Sequence, residues 1–466
     1  DLVRSRGLGD VYKRQMQNWD GKIHYITKTG QFKIGLLPKV YDMCIEMGIK
    51  PKVVDMRQPL PKVSKVVTNI GKYKLRPEQE KAVKSVINNR VGDTPFHIGV
   101  LDYTVNAGKT LIMSSLYLTY KKQLKTLLIT NDSDWLNQAR EEFKQYLPGE
   151  DITFVQGKVL NWSNFTIGMV QSISRNMRFY QKELSQIDMV LVDEADQGGS
   201  KQYQNVITRL FNTRIRIGLS GTIYMSKLAK DKVKNMNLEC FFGKVIAEFK
   251  LKDSIKKGYS TKTIVKMVPG KPWYGNWESD CISYKEIYDD SITENNTAWT
   301  MAYNRLRWNI NQGRYPALVV CKHIAHCENL YKFFKKKLGD AYNIAYVHVN
   351  TPSKLRQQIM RDFREGKIDI LVSTTIIARG KNFPKLRYLL NAASMDSQEK
   401  SIQFLGRLVR TDKSKKKVYL DDLHYPGPYL DRHGKHRKQY YQRQELKVIL
   451  LDKLWKKHPN HSLIKS

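Results

Sequence analysis

Gly108, Lys109 and Thr110 are the residues whose types and spacing point most directly to chemistry. They follow a short apolar run at 96–101 and open an apolar, helix-like segment at 111–120. A strand, a turn of small residues ending in Gly-Lys-Thr and a helix together form the layout of a phosphate-binding loop. In such a loop, backbone N–H groups and the helix N-terminus face the phosphates. The lysine contacts the β- and γ-phosphates, and the threonine hydroxyl can bind Mg²⁺.

The loop departs from the usual pattern at its start, because Tyr103 stands where the first glycine of G-x-x-x-x-G-K-[ST] is expected. A chance Gly-Lys-Thr is common, so this stretch alone leaves nucleotide binding open. In an ATPase, the upstream Gln79 could read the adenine edge with its paired donor and acceptor. The alternative for Gln79 is a solvated residue in a helix cap.

Two adjacent carboxylates, Asp193 and Glu194, end an apolar run at 187–192. A buried parallel strand delivers such groups to the carboxyl end of a sheet, where the ligands of α/β proteins bind. Asp193 can hold Mg²⁺, usually through water, and Glu194 can accept a proton from an attacking water. The alternative is an acidic strand-to-helix turn, which the preceding Gly-Lys-Thr loop makes the weaker interpretation.

A glutamine and two arginines, Gln403, Arg407 and Arg410, recur at helical spacing and share one face of a predicted helix. The set suits a γ-phosphate and the charge that develops during phosphoryl transfer, which is the role of an arginine finger. By itself, such a face is more often a solvated basic surface.

Strands that alternate with helices must position these residues, and they predict an α/β fold with two parallel-sheet domains in tandem. Residues 1–15 show no strand or helix period, resemble translated adapter sequence and are excluded from fold reasoning. The predicted segments are 16–62, a partial small α+β accessory domain; 63–255, the first α/β domain; 256–299, a linker or insert; 300–424, the second α/β domain; and 425–466, a basic helical C-terminal tail.

The amino-acid composition limits the class of molecule that this protein is expected to bind. The formal net charge of +36 favours a polyanion, most often nucleic acid, although a merely soluble basic surface is the alternative. No apolar run reaches the roughly 18 residues of a membrane helix, and no secretory signal is evident. Five scattered cysteines without a C-x-x-C pair indicate neither a disulfide framework nor a zinc site, and they favour a reducing, cytoplasmic compartment.

Taken together, these motifs resemble those of superfamily 2 helicases, in the same order along the chain. The pieces that match are Gly108-Lys109-Thr110, the literal Asp193-Glu194-Ala195-Asp196, Ser220-Gly221-Thr222, Ser373-Thr374 with Arg379-Gly380, and Gln403-x-x-Gly406-Arg407-x-x-Arg410. The ordered set is specific, although any one piece is not.

The resemblance implies two RecA-like domains with ATP and Mg²⁺ in the cleft and a nucleic-acid strand across both. It assigns catalysis to Lys109, Glu194, Gln403, Arg407 and Arg410. It assigns nucleotide contacts to Arg76, Gln79, Asn106, Ala107, Gly108, Lys109, Thr110 and Gly380, metal binding to Thr110 and Asp193, coupling to Ser220 and Thr222, and strand contacts to Thr130, Gln171, Lys322 and Thr374.

The N-terminal cluster at 18–22 and the segment 322–326 extend the resemblance to phage recombination helicases. The resemblance implies that the accessory domain at 16–62 binds DNA. That likeness implies remodelling of branched or duplex DNA, such as forks, Holliday junctions and R-loops with their RNA–DNA hybrid, in the cytoplasm of an infected host. Single-strand-binding or recombination proteins are the implied partners. Asn382 stands where many relatives carry aspartate, and the DEAD tetrapeptide also occurs in RNA helicases. An RNA helicase and a non-catalytic, ATP-switched DNA clamp stay as alternatives. The motor of a restriction system is a third, although no nuclease motif is apparent.

Overall fold

A computed structural model describes residues 23–120, 123–131, 133–159, 162–221, 223, 229–270, 283–378, 383–396, 398–412 and 415–451. Within these ranges the chain forms two seven-stranded sheets, and every strand pair in both sheets is parallel. The predicted α/β fold with two RecA-like parallel-sheet domains in tandem is confirmed.

The first sheet has the strand order β7-β1-β6-β5-β2-β4-β3. Its strands, in chain order, are β1 (Ile98–Tyr103), β2 (Thr126–Thr130), β3 (Ile152–Val155), β4 (Phe165–Met169), β5 (Met189–Asp193), β6 (Ile215–Ser220) and β7 (Val245–Phe249). The central strands β1, β5 and β6 are buried along their whole length. Because helices cover both faces of a parallel sheet, such strands are continuous apolar runs rather than alternating ones.

Nine helices accompany this half of the described chain. They are α1 (Leu37–Glu46), α2 (Pro77–Ile87), α3 (Lys109–Thr119), α4 (Ser133–Tyr146), α5 (Val170–Arg175), α6 (Gln181–Ser185), α7 (Lys201–Ile207), α8 (Ala229–Phe242) and α9 (Leu251–Lys256). Two short antiparallel pairs, Asn69–Ile70 with Tyr73–Lys74 and Arg90–Val91 with Thr94–Pro95, flank α2. Proline at the first turn of α2 fits the helix start, where its missing N–H removes no helical bond.

The second sheet has the strand order β10-β11-β9-β12-β13-β8-β14. Its strands are β8 (Lys262–Pro269), β9 (Ala317–Cys321), β10 (Ile344–Val347), β11 (Ile370–Thr374), β12 (Tyr388–Asn391), β13 (Lys417–His424) and β14 (Lys447–Leu450). The helices are α10 (Tyr284–Tyr288), α11 (Asn296–Ile310), α12 (Ile324–Leu338), α13 (Ser353–Glu365), α14 (Gln398–Leu408) and α15 (Leu430–Arg443).

Two strands of the second sheet lie outside the boundaries predicted for that domain. β8 falls in the predicted linker, yet it pairs with β13 over its full length. β14 falls in the predicted helical tail, yet it pairs with β8 and forms one edge of the sheet. The linker and tail boundaries are corrected accordingly, because an apolar run can predict a strand but does not show which distant strand it pairs with.

The described part of the predicted accessory domain, residues 23–62, packs on the first domain. Leu36 belongs to the same apolar cluster as Phe242 of α8, and Tyr41 packs against the cluster of Val91 and Phe96. At Gly35 a Cβ would lie only 2.1 Å from the Glu239 carbonyl oxygen, so the two backbones are in direct contact. Residues 1–22, which include the predicted adapter-like segment, lie outside the described chain.

Candidate functional site

The Gly-Lys-Thr segment forms a tight loop between β1 and α3. Asn106 and Gly108 both adopt positive φ, 65° and 73°, and α3 begins at Lys109. Glycine takes this conformation without steric cost, and asparagine is one of the few other residues that tolerate it. The strand, loop and helix predicted from the sequence are therefore all present, despite Tyr103 at the start of the loop.

Gln79 supports this loop from the protein interior. Its Oε1 accepts a hydrogen bond from the Arg76 backbone N–H at 2.9 Å, and its Nε2 donates to the Ala107 carbonyl at 2.8 Å. A Cβ on Gly108 would lie 2.3 Å from the same Nε2. The fully buried Gln79 thus braces the loop, and its predicted contact with adenine stays a prediction.

The loop has the polar atoms that a triphosphate requires. Among the described residues, neither polar atom of the buried Asn106 amide has a hydrogen-bond partner, and the Thr104 hydroxyl also lacks one. Buried polar groups are normally paired in native proteins, so these atoms fit a polar ligand at the loop. The Lys109 ammonium turns back to the Tyr103 carbonyl at 3.4 Å, at the foot of the same loop.

The carboxylates predicted for metal and proton chemistry lie at the same sheet edge as the loop. Leu219 of β6 pairs with Leu101 of β1 on one side and with Asp193 of β5 on the other. Asp193 is buried, and its oxygen ligands are of the type that Mg²⁺ prefers. Thr110, the other predicted metal ligand, occupies the first turn of α3 at this edge.

Glu194 takes a left-handed backbone conformation, with φ of 52° and ψ of 50°, immediately after β5. This conformation is uncommon for a residue with a side chain, and such outliers cluster at functional sites. The Ser220 hydroxyl donates to the Asp196 carboxylate at 2.8 Å, which links the third motif to the acidic turn. Thr222, the other predicted coupling residue, lies outside the described residues.

The arginine-bearing helix α14 of the second domain lies directly against both halves of this site. Gln403 Nε2 donates to Glu194 Oε1 at 3.4 Å. One turn further, a Cβ on Gly406 would lie 2.7 Å from the side chain of Val105 in the phosphate loop. The predicted glutamine therefore contacts the predicted base, and the helix backbone contacts the loop itself.

The two arginines of this motif are half-buried. Burial lowers the pKa of Arg410, whose Nε has no partner among the described residues. The Thr261 hydroxyl donates to the Arg410 carbonyl at 3.1 Å and holds the end of the helix against β8. A buried guanidinium of this kind fits an anionic ligand, because leaving it uncompensated is costly.

Two contacts near Gln79, between α2 and the segment that joins the two sheets, were missed by the sequence analysis. The Arg76 guanidinium stacks over the ring of Tyr259, 4.0 Å from its centroid. Lys257 forms an ion pair of 2.8 Å with the buried Glu78. Both partners lie in the segment between the two sheets, and no local sequence pattern connects that segment to α2. Arg76 therefore links the start of the nucleotide-side helix to the connection between domains.

The residues predicted to contact a strand form two groups. In the first domain, Thr130 ends β2, and the nearby Gln171 donates to the Asn131 carbonyl at 3.3 Å. In the second domain, Lys322 follows β9 and Thr374 ends β11, where Thr374 pairs with Cys321. Each group thus lies at the carboxyl edge of its own sheet. Gly380 lies outside the described residues.

No helix in the described ranges is long and apolar enough to cross a membrane. The same ranges contain no cluster of three or more histidine, cysteine or acidic residues that could hold a metal ion. The predicted Mg²⁺ site, with one carboxylate and one hydroxyl from the protein, is smaller than such a cluster, as is usual for magnesium bound together with substrate phosphates.

Two protein-family models match this chain, one over each domain that contributes to the site. A family described as "Type III restriction enzyme, res subunit" matches residues 72–225, and the "Helicase conserved C-terminal domain" matches residues 302–412. These matches contain the phosphate loop, the acidic turn and the arginine-bearing helix. The chain belongs to the superfamily 2 helicases.

Curated relatives of this helicase include three whose alignments cover most of the chain. A helicase of a Sulfolobus islandicus filamentous virus is 22% identical over 385 residues, 76% of this chain and 64% of that protein. The Saccharomyces cerevisiae helicase IRC3 is 22% identical over 75% of this chain and 51% of its own length. The DNA helicase uvsW of Enterobacteria phage T4 is 21% identical over 87% of this chain and 82% of that protein. The chain thus spans about half to two thirds of the first two relatives.

Solved structures share the fold of this helicase at low sequence identity. A fragment of an HsdR subunit of a type I restriction enzyme from Vibrio vulnificus has a TM-score of 0.59 at 16% identity, covering 88% of this chain and 73% of that one. The Type ISP restriction-modification enzyme LlaBIII bound to DNA has a TM-score of 0.60 at 15% identity, covering 82% and 32%. Saccharomyces cerevisiae Dbp5 bound to RNA and ADP BeF3 has a TM-score of 0.54 at 14% identity, covering 82% and 92%.

Proposed function

We propose that this helicase is an ATP-driven motor that remodels branched DNA. The observation that carries the proposal is the contact of α14 with both the phosphate loop and the acidic turn, through Gly406 and Gln403. A nucleotide held at the loop would be enclosed by side chains of both domains. Turnover at the loop would then change the fit between domains, and strand-binding groups on each sheet would move relative to each other.

Each residue of the site has a role in this cycle. Lys109 binds the β- and γ-phosphates of ATP, and Glu194 accepts the proton of the attacking water. Arg407 and Arg410 stabilise the charge that develops as the γ-phosphate leaves, and Gln403 holds Glu194 in place. Thr110 and Asp193 would hold Mg²⁺, which when bound neutralises phosphate charge.

A DNA substrate is supported by similarity and by charge. The alignment with uvsW of phage T4 extends over 82% of that protein, which is named as a DNA helicase. The net charge of +36 suits a polyanion without selecting one. From the match to uvsW we propose forks, Holliday junctions and R-loops as substrates. The process would be phage recombination and replication in the cytoplasm of a bacterial host. Single-strand-binding or recombination proteins would be the protein partners.

An RNA helicase is the second candidate. The literal DEAD tetrapeptide at 193–196 favours it. So does the local identity of 32% over 87 residues with an RNA helicase RhlB from Shewanella woodyi, although that alignment covers 19% of this chain. Gln403 argues against it, because the RNA helicases with this tetrapeptide usually carry histidine at that position.

The test is the rate of phosphate release with and without a DNA fork and a matched RNA fork. We expect strong stimulation by the DNA fork in the wild type, and a roughly 10²- to 10⁴-fold loss of that rate in Glu194→Gln, since a general base contributes about this much. Nucleotide binding should survive, because the substitution removes only a charge. Glu141→Gln on α4, whose side chain is 75% exposed, is the matched control and should retain the wild-type rate.

Preference for the RNA fork would reject the DNA motor in favour of an RNA helicase. Tight DNA binding that ATP modulates, without stimulated phosphate release in the wild type, would identify a non-catalytic clamp instead. An unchanged rate in Glu194→Gln would exclude Glu194 as the base.

A further inference from the structure

The second domain displays a row of alternating cations and aromatic rings outside the ATP site. The Lys322 ammonium lies 4.0 Å from the centroid of the Tyr284 ring. The Tyr284 ring meets Tyr429 edge to face at 5.7 Å, and the Arg432 guanidinium lies 5.7 Å from the Tyr429 ring. The four residues come from three separate parts of the chain, and we call them the ring–cation row.

Tyr429 is the exposed aromatic ring of the ring–cation row. The residue as a whole is 43% accessible. Its φ of 59° and ψ of −48° place it at the centre of a three-residue turn, closed by the Leu430 N–H donating to the Pro428 carbonyl at 2.6 Å. This turn is rare and strained for a residue with a side chain. The local backbone thus holds an aromatic ring outward where a glycine would be easier to accommodate.

The base of the row is rigid. Tyr284 also contacts the buried His433 ring at 5.3 Å, and burial raises the pKa of Tyr284 to about 12. Beneath it, the hydroxyl of the buried Tyr288 donates to the Ala393 carbonyl at 2.9 Å. A ligand that stacks on the outer ring would therefore meet a preorganised surface and would lose little conformational entropy in ordering it.

The row carries two cations, Lys322 and Arg432, and the neighbouring carboxylates contact basic side chains. Asp396 lies 2.9 Å from His436. The nearest acidic residue of α15, Asp431, is engaged by Lys435 at 2.6 Å and by His424 at 3.0 Å. Arg432, in the first turn of the same helix, is exposed. A row of this composition suits a chain of phosphates with attached planar groups, because cations contact the phosphates and aromatic faces stack on bases.

We propose that the ring–cation row binds single-stranded nucleic acid, with an unpaired base stacked on Tyr429 and neighbouring phosphates contacted by Arg432 and Lys322. The inference extends the proposed motor, since Lys322 is one of its predicted strand contacts, and names a further contact that the helicase motifs do not contain. A duplex keeps its bases stacked inside, so it cannot offer a base face to Tyr429. The row is therefore selective for unpaired nucleotides.

The test measures equilibrium binding of fluorescent oligothymidylate, oligouridylate and a duplex of equal length to the full chain. For Tyr429→Ala we expect single-strand binding about 5- to 150-fold weaker, the range measured for loss of one base–aromatic stack. Tyr429→Gly removes the ring and also relieves the strained turn, so it should weaken binding to the same extent. Tyr429→Phe keeps the ring and should bind as the wild type does. Duplex binding should be unchanged in all three.

Tyr315→Ala is the matched control, because Tyr315 is a tyrosine of the same domain with 42% exposure but lies outside the row. Arg432→Gln should lower the slope of log K against log[salt] by about 0.7, the value for one single-strand phosphate contact. Equal loss on DNA and RNA would show recognition of the base face alone, and loss on one of them would show selectivity for that strand.

Wild-type single-strand binding with unchanged affinity in Tyr429→Ala and Tyr429→Gly would overturn the proposed row and leave the motor standing. Equal weakening of duplex binding would also overturn it, since that result indicates a phosphate contact without stacking. A wild type that binds no single strand, with no stimulated phosphate release, would reject the motor itself.

Discussion

At the scale of single residues, the site depends on two positions where a side chain cannot be accommodated. Gly108 packs its Cα against the amide of Gln79, and Gly406 packs against Val105. The first contact shapes the loop that we propose receives the phosphates of ATP. The second allows a helix of one domain to approach the loop of the other. In the proposed motor, ATP hydrolysis and closure of the two domains therefore both depend on close backbone contacts at the phosphate loop.

Gly406→Ala is expected to impair closure. Its Cβ would lie 2.7 Å from Val105 Cγ1, and β-branched valine has little freedom to move away. Overpacking of this kind costs about 1–3 kcal/mol, which should appear as a lower DNA-stimulated rate of phosphate release and a higher ATP KM. Steady-state kinetics on a DNA fork measure both.

The double variant Gly406→Ala with Val105→Ala provides the control for that prediction. Removing the valine methyl groups restores the space, so most of the stimulated rate should return. Failure of this rescue, with Val105→Ala alone fully active, would show that Gly406 acts through something other than the contact with Val105.

At the scale of elements, α15 is an integral part of the second domain rather than a tail. Arg437 is fully buried in it, and it donates to Asp422 of β13 at 3.0 Å and to the Met395 carbonyl at 3.0 Å. Met395 lies in the segment that leads into α14. The C-terminal helix therefore holds the sheet and, through this segment, the start of the arginine-bearing helix.

Arg437→Met should destabilise the protein by about 3–5 kcal/mol, because it leaves the buried Asp422 carboxylate without its ionic partner. Urea unfolding followed by tryptophan fluorescence would measure the loss. The double variant Arg437→Met with Asp422→Asn removes the uncompensated charge and should recover at least half of that stability. Equal destabilisation in the single and double variants would mean that the Arg437 guanidinium acts mainly through its hydrogen bonds to the Met395 and Leu423 carbonyls.

At the scale of the whole molecule, 80 lysine and arginine residues oppose 44 acidic ones. The excess positive charges repel one another, and binding to a polyanion offsets this repulsion. Binding to DNA should therefore release counterions, and the affinity should fall steeply with salt.

We expect the affinity for a DNA fork to fall roughly 10³- to 10⁵-fold between 50 and 200 mM salt, the range for about six to ten phosphate contacts. Phosphate release without DNA should change little over the same range, because the residues of the proposed nucleotide site are largely half-buried. A titration of labelled fork at several salt concentrations measures the slope. A flat salt dependence would show that the positive charge faces something other than nucleic acid.

The amino-acid sequence by itself determined most of the order of strands and helices, and it predicted the residues of the proposed ATP site. Apolar runs that end in Asp193 or in the loop before Lys109 predicted buried parallel strands, because local patterning suffices where a strand is covered on both faces. The fold class followed directly, as did the identities of the residues that share one sheet edge.

Only the tertiary structure decided which distant segments meet. β8 and β14 join the second sheet through backbone hydrogen bonds that carry no sequence signature. The stacking of Arg76 on Tyr259 and the approach of Gly406 to Val105 are equally invisible along the chain. So is the ring–cation row, whose members come from three separate parts of the chain, at 284, 322 and 429–432. These contacts depend on how the two sheets and their connections pack, which is a property of the whole chain and not of any local pattern.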